Sequence, residues 1–268
     1  YNGDFSKWIK YANSLKLRMA VRIASNTEDT EYAKQMMAEA IDGGVIESND
    51  DNAFFPSMPY NPFWIASDWG DLAINATDAS PMPVFYAAET YFLKAEAALQ
   101  GWIAGGTAAA KSYYEQGIQI SMNQYGVEIG DYLSSTVVPQ GYTDRWNSQN
   151  NISFTDVPTV AWENGSNKLQ KIITQKWIAN FPNGMESWTE YRRTGYPKLF
   201  PNRVNLSNGD INTNEQVRRL IYSDTEINTN NAELQKGIEL LNQENTGSIS
   251  GDKGGTHVWW DKAGVGNF

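Results

Sequence analysis

The sequence predicts a mainly α-helical fold, built from tetratricopeptide-like helical pairs joined by long irregular loops, and three observations carry that expectation. Apolar residues return at helical spacing in several separate stretches. Two other stretches crowd aromatics, prolines and asparagines together without a period. Ala110, Tyr114 and Gly117 match the A-x3-F-x2-A spacing of the second helix of a tetratricopeptide unit, where small residues let paired helices approach closely. No clean repeat of fixed period accompanies that match, so a regular solenoid is not expected.

The elements follow in order. Phe5, Trp8, Ile9, Ala12, Leu15, Met19 and Ile23 predict a long amphipathic helix, with Asp4 as N-cap and Lys7, Lys10, Arg18 and Arg22 mostly on its other faces. A second helix is expected from near Thr27, with Glu28, Asp29 and Glu31 in its first turn, where the macrodipole favours them, and a stop at Gly43-Gly44. Residues 47 to 81 read as a long loop carrying Phe54, Phe55, Tyr60, Phe63, Trp64 and Trp69. Helices resume with Ser80 as N-cap and Pro81 at the first helical position, running through Phe85, Phe92 and Ala95 towards Gly101. Thr107 caps the partner helix, which runs to Gly126. Residues 127 to 166 form a second irregular stretch with Tyr132, Tyr142, Trp146, Phe154 and Trp162. Ser166 opens a helix with Leu169, Ile172, Ile173 and Trp177 on one face, ended by Phe181-Pro182-Asn183-Gly184. Shorter helices are expected at 185 to 192, 214 to 222 and 230 to 241, and the Gly-rich tail from Thr246 is expected to be pinned by Trp259 and Trp260.

Composition removes whole classes of function. The 268 residues carry a formal charge of −10, which repels a phosphate backbone and argues against nucleic acid as a partner. No Cys and one His, His257, leave neither a disulfide framework nor a His-rich or thiolate metal site, and no cofactor or metal is expected. Hydrolytic chemistry survives mainly as carboxylate chemistry, and Glu186 with Glu190 is the pair whose spacing places both on one helical face.

The string from Lys168-Leu169-Gln170-Lys171-Ile172 to Trp177-Ile178-Ala179, followed by Glu190-Tyr191-Arg192-Arg193-Thr194-Gly195-Tyr196-Pro197, closely resembles the SusD/RagB-like outer-membrane nutrient-binding lipoproteins. Further matches are Phe5-Ser6-Lys7-Trp8, Tyr114-Glu115-Gln116-Gly117, Arg218-Arg219-Leu220 and Trp259-Trp260-Asp261-Lys262, so the resemblance spans nearly all of residues 1–268. It implies the C-terminal part of one such domain, without the lipoprotein signal, acylated Cys and helical repeats that begin family members. It also implies a segment missing near Ala76-Thr77. The implied role is capture of a glycan or peptide at the outer face of the outer membrane and delivery to a SusC-like TonB-dependent transporter. The membrane is touched only through an N-terminal lipid anchor not present in this sequence. No catalysis is implied; a glycoside hydrolase using the Glu186–Glu190 pair is the alternative.

Sugar recognition without catalysis needs flat aromatic faces over pyranose C–H groups, with amides and carboxylates for the hydroxyls. Both loop stretches supply them. The preferred ligand-binding residues are Phe55, Tyr60, Trp64 and Trp69, with Asn61 and Asp68 as hydrogen-bond partners, because Pro-rich irregular backbone presents side chains outward. Tyr142 and Trp146 rank second. Trp8, Trp177 and Trp188 lie at helical spacing and are assigned to the core. Arg192-Arg193 reads as salt-bridged, Asn49-Asp50-Asp51-Asn52 as a solvated turn, and His257 as packed or hydrogen-bonded.

Overall fold

The computed structural model describes residues 1–25, 28–55, 82–153, 157–201 and 204–261. About 51% of the described residues are helical, 3-10 turns included, and these residues hold one two-stranded sheet, so the mainly α expectation holds. The elements are α1 (Phe5–Ile23), α2 (Thr30–Asp42), β1 (Ala53–Phe55), β2 (Met82–Phe85), α3 (Ala87–Leu99), α4 (Gly106–Gln124), α5 (Lys168–Ala179), α6 (Gly184–Thr194), α7 (Asp224–Thr229) and α8 (Asn231–Glu244). They fall into two compact units: Tyr1–Gly130 with Gln175–Ser187, and Asp131–Thr174 with Trp188–Phe268.

In the first unit, Asp4 caps α1 as expected, its carboxylate accepting from the backbone of Ser6 and Lys7. The buried face of α1 is a different one from the predicted stripe. Ser14, Leu17, Arg18, Ala20 and Val21 point into the core, while Phe5, Trp8, Ile9 and Met19 are exposed. The reason is that the polar members of the inner face are fully engaged. Ser14 Oγ donates to Lys10 O and accepts from Ile46 N, and Arg18 forms a two-pronged contact with Glu89 at 2.7 and 2.8 Å. Trp8 is therefore not a core residue; it stands half-exposed, edge-on to Tyr1 and Tyr11. The core itself gathers Leu17 and Val21 of α1, Ala33, Met37 and Ala40 of α2, Ile46, Phe85, and Leu93 and Ala97 of α3.

The Asn49–Asn52 run is a bracket and not a solvated turn. It forms a 3-10 turn in which buried Asp51 takes the ammonium of Lys10 at 2.6 Å. Asn52 Oδ1 accepts from Ala87 N at 2.7 Å, capping α3 from 35 residues away, and Asn49 Nδ2 donates to Ile120 O of α4 at 2.9 Å. Two strand segments replace expected loop and helix. β1 pairs antiparallel with β2 (Ala53 opposite Phe85, Phe55 opposite Met82), so Phe85 is a strand residue and the helix starts at Ala87, not at Ser80-Pro81. Pro83 explains the shift: it biases Met82 away from helical backbone, and a two-stranded sheet has room for its missing donor.

α3 and α4 form the predicted pair. Ala87, Ala88, Ala95, Ala97 and Ala98 make α3 slender, and Ala110, Tyr114 and Gly117 of α4 are buried. A Cβ on Gly117 would lie 2.9 Å from the Phe92 ring, which itself meets Tyr114 edge-on at 6.4 Å. α4 starts at Gly106 after left-handed Gly105, one residue before the predicted Thr107 cap.

In the second unit, residues 131–153 and 157–167 are irregular as expected, apart from short 3-10 turns and one bridge between Tyr142 and Ile152. α5 starts two residues after Ser166, and the part of it in this unit buries Ile172 and Ile173 together with Lys171. Burial pushes the Lys171 ammonium down to about 8, aided by Lys168, and the group donates to Thr159 O at 2.5 Å. The rest of α5 belongs to the first unit, where Trp177 is 41% exposed and its core assignment is overturned: the buried places on that turn go to Lys176 and Ala179. Trp188 is half-buried, its Nε1 donating to Val217 O at 2.9 Å.

The helix predicted at 214 to 222 does not form. Arg218 and Arg219 instead run along the tail, both backbone amides donating to Gly254 O. The tail is pinned less by its tryptophans than by polar groups: Thr256, His257 and Asp261 are buried, whereas Trp259 is 49% exposed. Arg218 Nη1 meets Asp261 at 3.1 Å, and His257 sits between Glu215 at 3.0 Å and Asp261 at 3.4 Å.

Candidate functional site

Of the preferred ligand-binding residues, Tyr60, Asn61, Trp64, Asp68 and Trp69 lie outside the described residues. Phe55 ends β1 in the first unit with its ring 56% exposed. Tyr142 and Trp146 belong to the second unit, where local hydrogen bonding builds a closed loop around them. Its neck is the Tyr142–Ile152 bridge, with Ile152 N donating to Tyr142 O at 2.9 Å and the Ile152 side chain buried. Gly141 lies so close to the opposite strand that a Cβ there would fall 2.3 Å from Ile152 O.

Inside the loop, Asp144 Oδ1 accepts from Trp146 N at 2.8 Å and from Asn147 N at 3.0 Å, while Oδ2 accepts from Asn150 Nδ2 at 2.7 Å. Asn151 Oδ1 returns the contact by accepting from Asp144 N at 2.8 Å. The bond from Asn150, then those from the two backbone amides, hold the Asp144 carboxyl below the usual carboxylate range. Trp146 is carried outward, 95% exposed.

Tyr142 is 47% exposed and does not stand alone. Phe200, equally exposed, lies with its ring centroid 6.0 Å away and its plane tilted by 41°. Gln216 Nε2 donates to Phe200 O at 2.6 Å, tying down the backbone that carries it. Phe200 was missed from sequence although the signal was available: Tyr196-Pro197-Lys198-Leu199-Phe200-Pro201 shows the same mixing of prolines and aromatics used to select residues 54 to 69.

The paired-carboxylate arrangement finds no support. Glu186 is ion-paired with Arg22 and, at 3.3 Å, with Arg18. Glu190 is buried against Arg193 at 2.6 Å, which also bears out the salt-bridge reading of that arginine. Each carboxylate is thus engaged by a guanidinium partner of its own. Arg192 is buried, its guanidinium stacked on Trp188 at 3.5 Å and near Trp260 at 4.6 Å, donating to Arg218 O. Among the described residues no group of three or more His, Asp or Glu side chains is placed to hold a metal, and no helix is long and apolar enough to cross a membrane.

The fold defines a class: tetratricopeptide-like helical proteins that carry exposed rings on irregular segments. The family model described as Susd and RagB outer membrane lipoprotein matches residues 1–82 and 73–261, and the chain belongs to that SusD-like family. A crystal structure of a SusD homologue from Bacteroides thetaiotaomicron is 35% identical, with a TM-score of 0.86 over 98% of this chain and 67% of that one. A second SusD-like protein from the same organism is 33% identical, with a TM-score of 0.84 over 100% of this chain and 67% of that one. A chitin-binding SusD homologue from Flavobacterium johnsoniae is 35% identical, with a TM-score of 0.81 over 98% of this chain and 65% of that one. The chain thus spans about two thirds of the length of these relatives. No curated protein matches.

Proposed function

We propose that the chain acts as a cell-surface nutrient-binding protein, holding oligosaccharide on exposed rings and delivering it to a SusC-like TonB-dependent transporter. On this reading it works at the extracellular face of the outer membrane, held there by a lipid anchor. The observation that carries the glycan reading is the exposed Tyr142–Phe200 pair beside the loop that displays Trp146, in a family with a chitin-binding member. Each ring that covers about 50–80 Å² of sugar C–H surface contributes roughly 1–2 kcal/mol at about 25 cal/mol per Å². Association entropy cancels much of that, so two or three rings support binding of about millimolar to micromolar strength. Such affinity suits a carrier that must release its cargo. Phe55, Tyr60, Trp64 and Trp69, with Asn61 and Asp68, are proposed as further contacts.

Titration calorimetry of the full-length protein against a panel of glycans and peptides tests the reading. Binding of a glycan, weakened about 5–30-fold by Tyr142→Ala or Trp146→Ala, is the expected result, together with co-purification of the transporter. Binding only of peptides would move the ligand class. Absence of any ligand and of a co-purifying transporter would remove the proposal.

A further inference from the structure

We infer that Asp144 is a positioning residue: its carboxylate fixes the backbone that carries Trp146 before any ligand arrives. This rests on the proposed ligand surface but makes a separate claim about how that surface is kept in shape.

A ring that is 95% exposed has almost no packing to hold it, so its placement depends on its backbone. Free chain of this composition, with Ser148, Gln149, Asn150 and Asn151 in succession, has no apolar side chain of its own to bury between Trp146 and Ile152. Ordering it therefore requires hydrogen bonds strong enough to offset backbone entropy. Asp144 supplies three at once: two backbone amides on Oδ1 and the Asn150 amide on Oδ2, all between 2.7 and 3.0 Å. An ionised acceptor makes each of these stronger than its neutral equivalent. The fourth bond, Asp144 N to Asn151 Oδ1, closes the loop from its other side, so both limbs meet at this one residue. Below it, the Tyr142–Ile152 bridge and the Gly141 close approach anchor the neck. Asp144 is thus the only described residue through which the displayed half of the loop is tied to itself by a charged group.

An aspartate here also answers a problem of recognition. A platform that must be ordered on binding loses affinity to that ordering, whereas a platform already held in place does not. Asparagine in its place keeps an oxygen for the two backbone amides but turns a second donor towards Asn150, so it restores part of the network and not all of it.

The test uses the full-length protein labelled with 15N-tryptophan, the Trp146 amide being assigned by its loss in Trp146→Phe. In Asp144→Ala the Trp146 amide exchanges with solvent about 10- to 100-fold faster, and its heteronuclear NOE drops, while the other Trp amides keep theirs. Asp144→Asn falls between the two. Affinity for chitohexaose, measured alongside, drops several-fold in Asp144→Ala and less in Asp144→Asn. An unchanged Trp146 amide in Asp144→Ala overturns the inference, and so does a change shared by all the Trp amides, which would make Asp144 a general determinant of folding. Should Trp146→Ala bind chitohexaose as well as the parent, the ligand surface is wrong, while the amide result still decides the role of Asp144.

Discussion

Glu89 keeps its charge in a place closed to water, and the cations around it explain how. Burial acts to raise its pKa, but Arg18, in two-pronged contact, and Lys176 at 3.7 Å outweigh it and hold the carboxyl below its ordinary range. Such a site contributes little against a well-packed apolar replacement, yet removing one partner strands the others. Glu89→Ala is therefore expected to cost about 3–5 kcal/mol in denaturant unfolding, and a loss below about 1 kcal/mol would contradict the account. His257 offers a second residue-level test, because it is the one imidazole in the chain. Burial pulls its pKa down, but the carboxylates of Asp261, 3.4 Å from Nδ1, and Glu215, hydrogen-bonded at Nε2, exceed that effect and the repulsion of Arg218, and the net shift is upward from 6.5. A raised folded value means that its stabilisation is complete below about 6.5 and is lost as pH rises through the folded pKa. An NMR titration of the ring should give a midpoint above 6.5, and the corresponding fall in stability should vanish in His257→Gln; a midpoint below 6.5 would contradict the geometry. Neither cluster was legible in sequence, since a buried charge is recognisable only once its partner, 71 residues away for Arg18 and Glu89, has been brought beside it.

At the scale of elements, the pairing of α3 with α4 was the most readable feature, because Ala110, Tyr114 and Gly117 encode a close approach in three local positions. Gly117→Leu should cost about 1–3 kcal/mol in thermal or denaturant unfolding by forcing the Phe92 ring from its place, and an unchanged midpoint would show that the interface has slack. The other elements divide on one physical criterion. Local signals such as the Asp4 cap, the α2 stop near Gly43 and the helices at 184–194 and 231–244 were found in or near their places. Elements that exist through distant partners were missed: β1 needs β2, and the 214–222 segment takes its hydrogen bonds from the tail at Gly254. The start of α3 belongs to the same group, since Tyr86 makes no side-chain cap and Asn52 provides the acceptor. Asn52→Ala should therefore lower stability by about 0.5–2 kcal/mol, a range set by loss of one cap; no change would mean that water replaces the amide. The face of α1 was misassigned because hydropathy counts Ser14 and Arg18 as wet, whereas both have buried partners.

For the molecule as a whole, family membership was legible from long motif strings on α5 and α6, and the comparisons bear it out. The candidate surface was only partly so. Tyr142 and Trp146 are exposed, Phe200 was overlooked, and five of the preferred residues lie outside the described residues. Aromatic content can mark a loop as a candidate, but composition does not record the local hydrogen bonds, such as those of Asp144, that accompany an exposed ring. The claim on which everything else rests is that cargo is held on ring faces, reversibly and without bond breaking. Saturation-transfer NMR on the full-length protein with a bound oligosaccharide, irradiating the aromatic protons, addresses it most directly. The account predicts transfer chiefly to the ring C–H protons of the sugar, diminished in Tyr142→Ala and Trp146→Ala, with the oligosaccharide recovered at its original length. Transfer that survives both substitutions, or the appearance of new reducing ends, would contradict it.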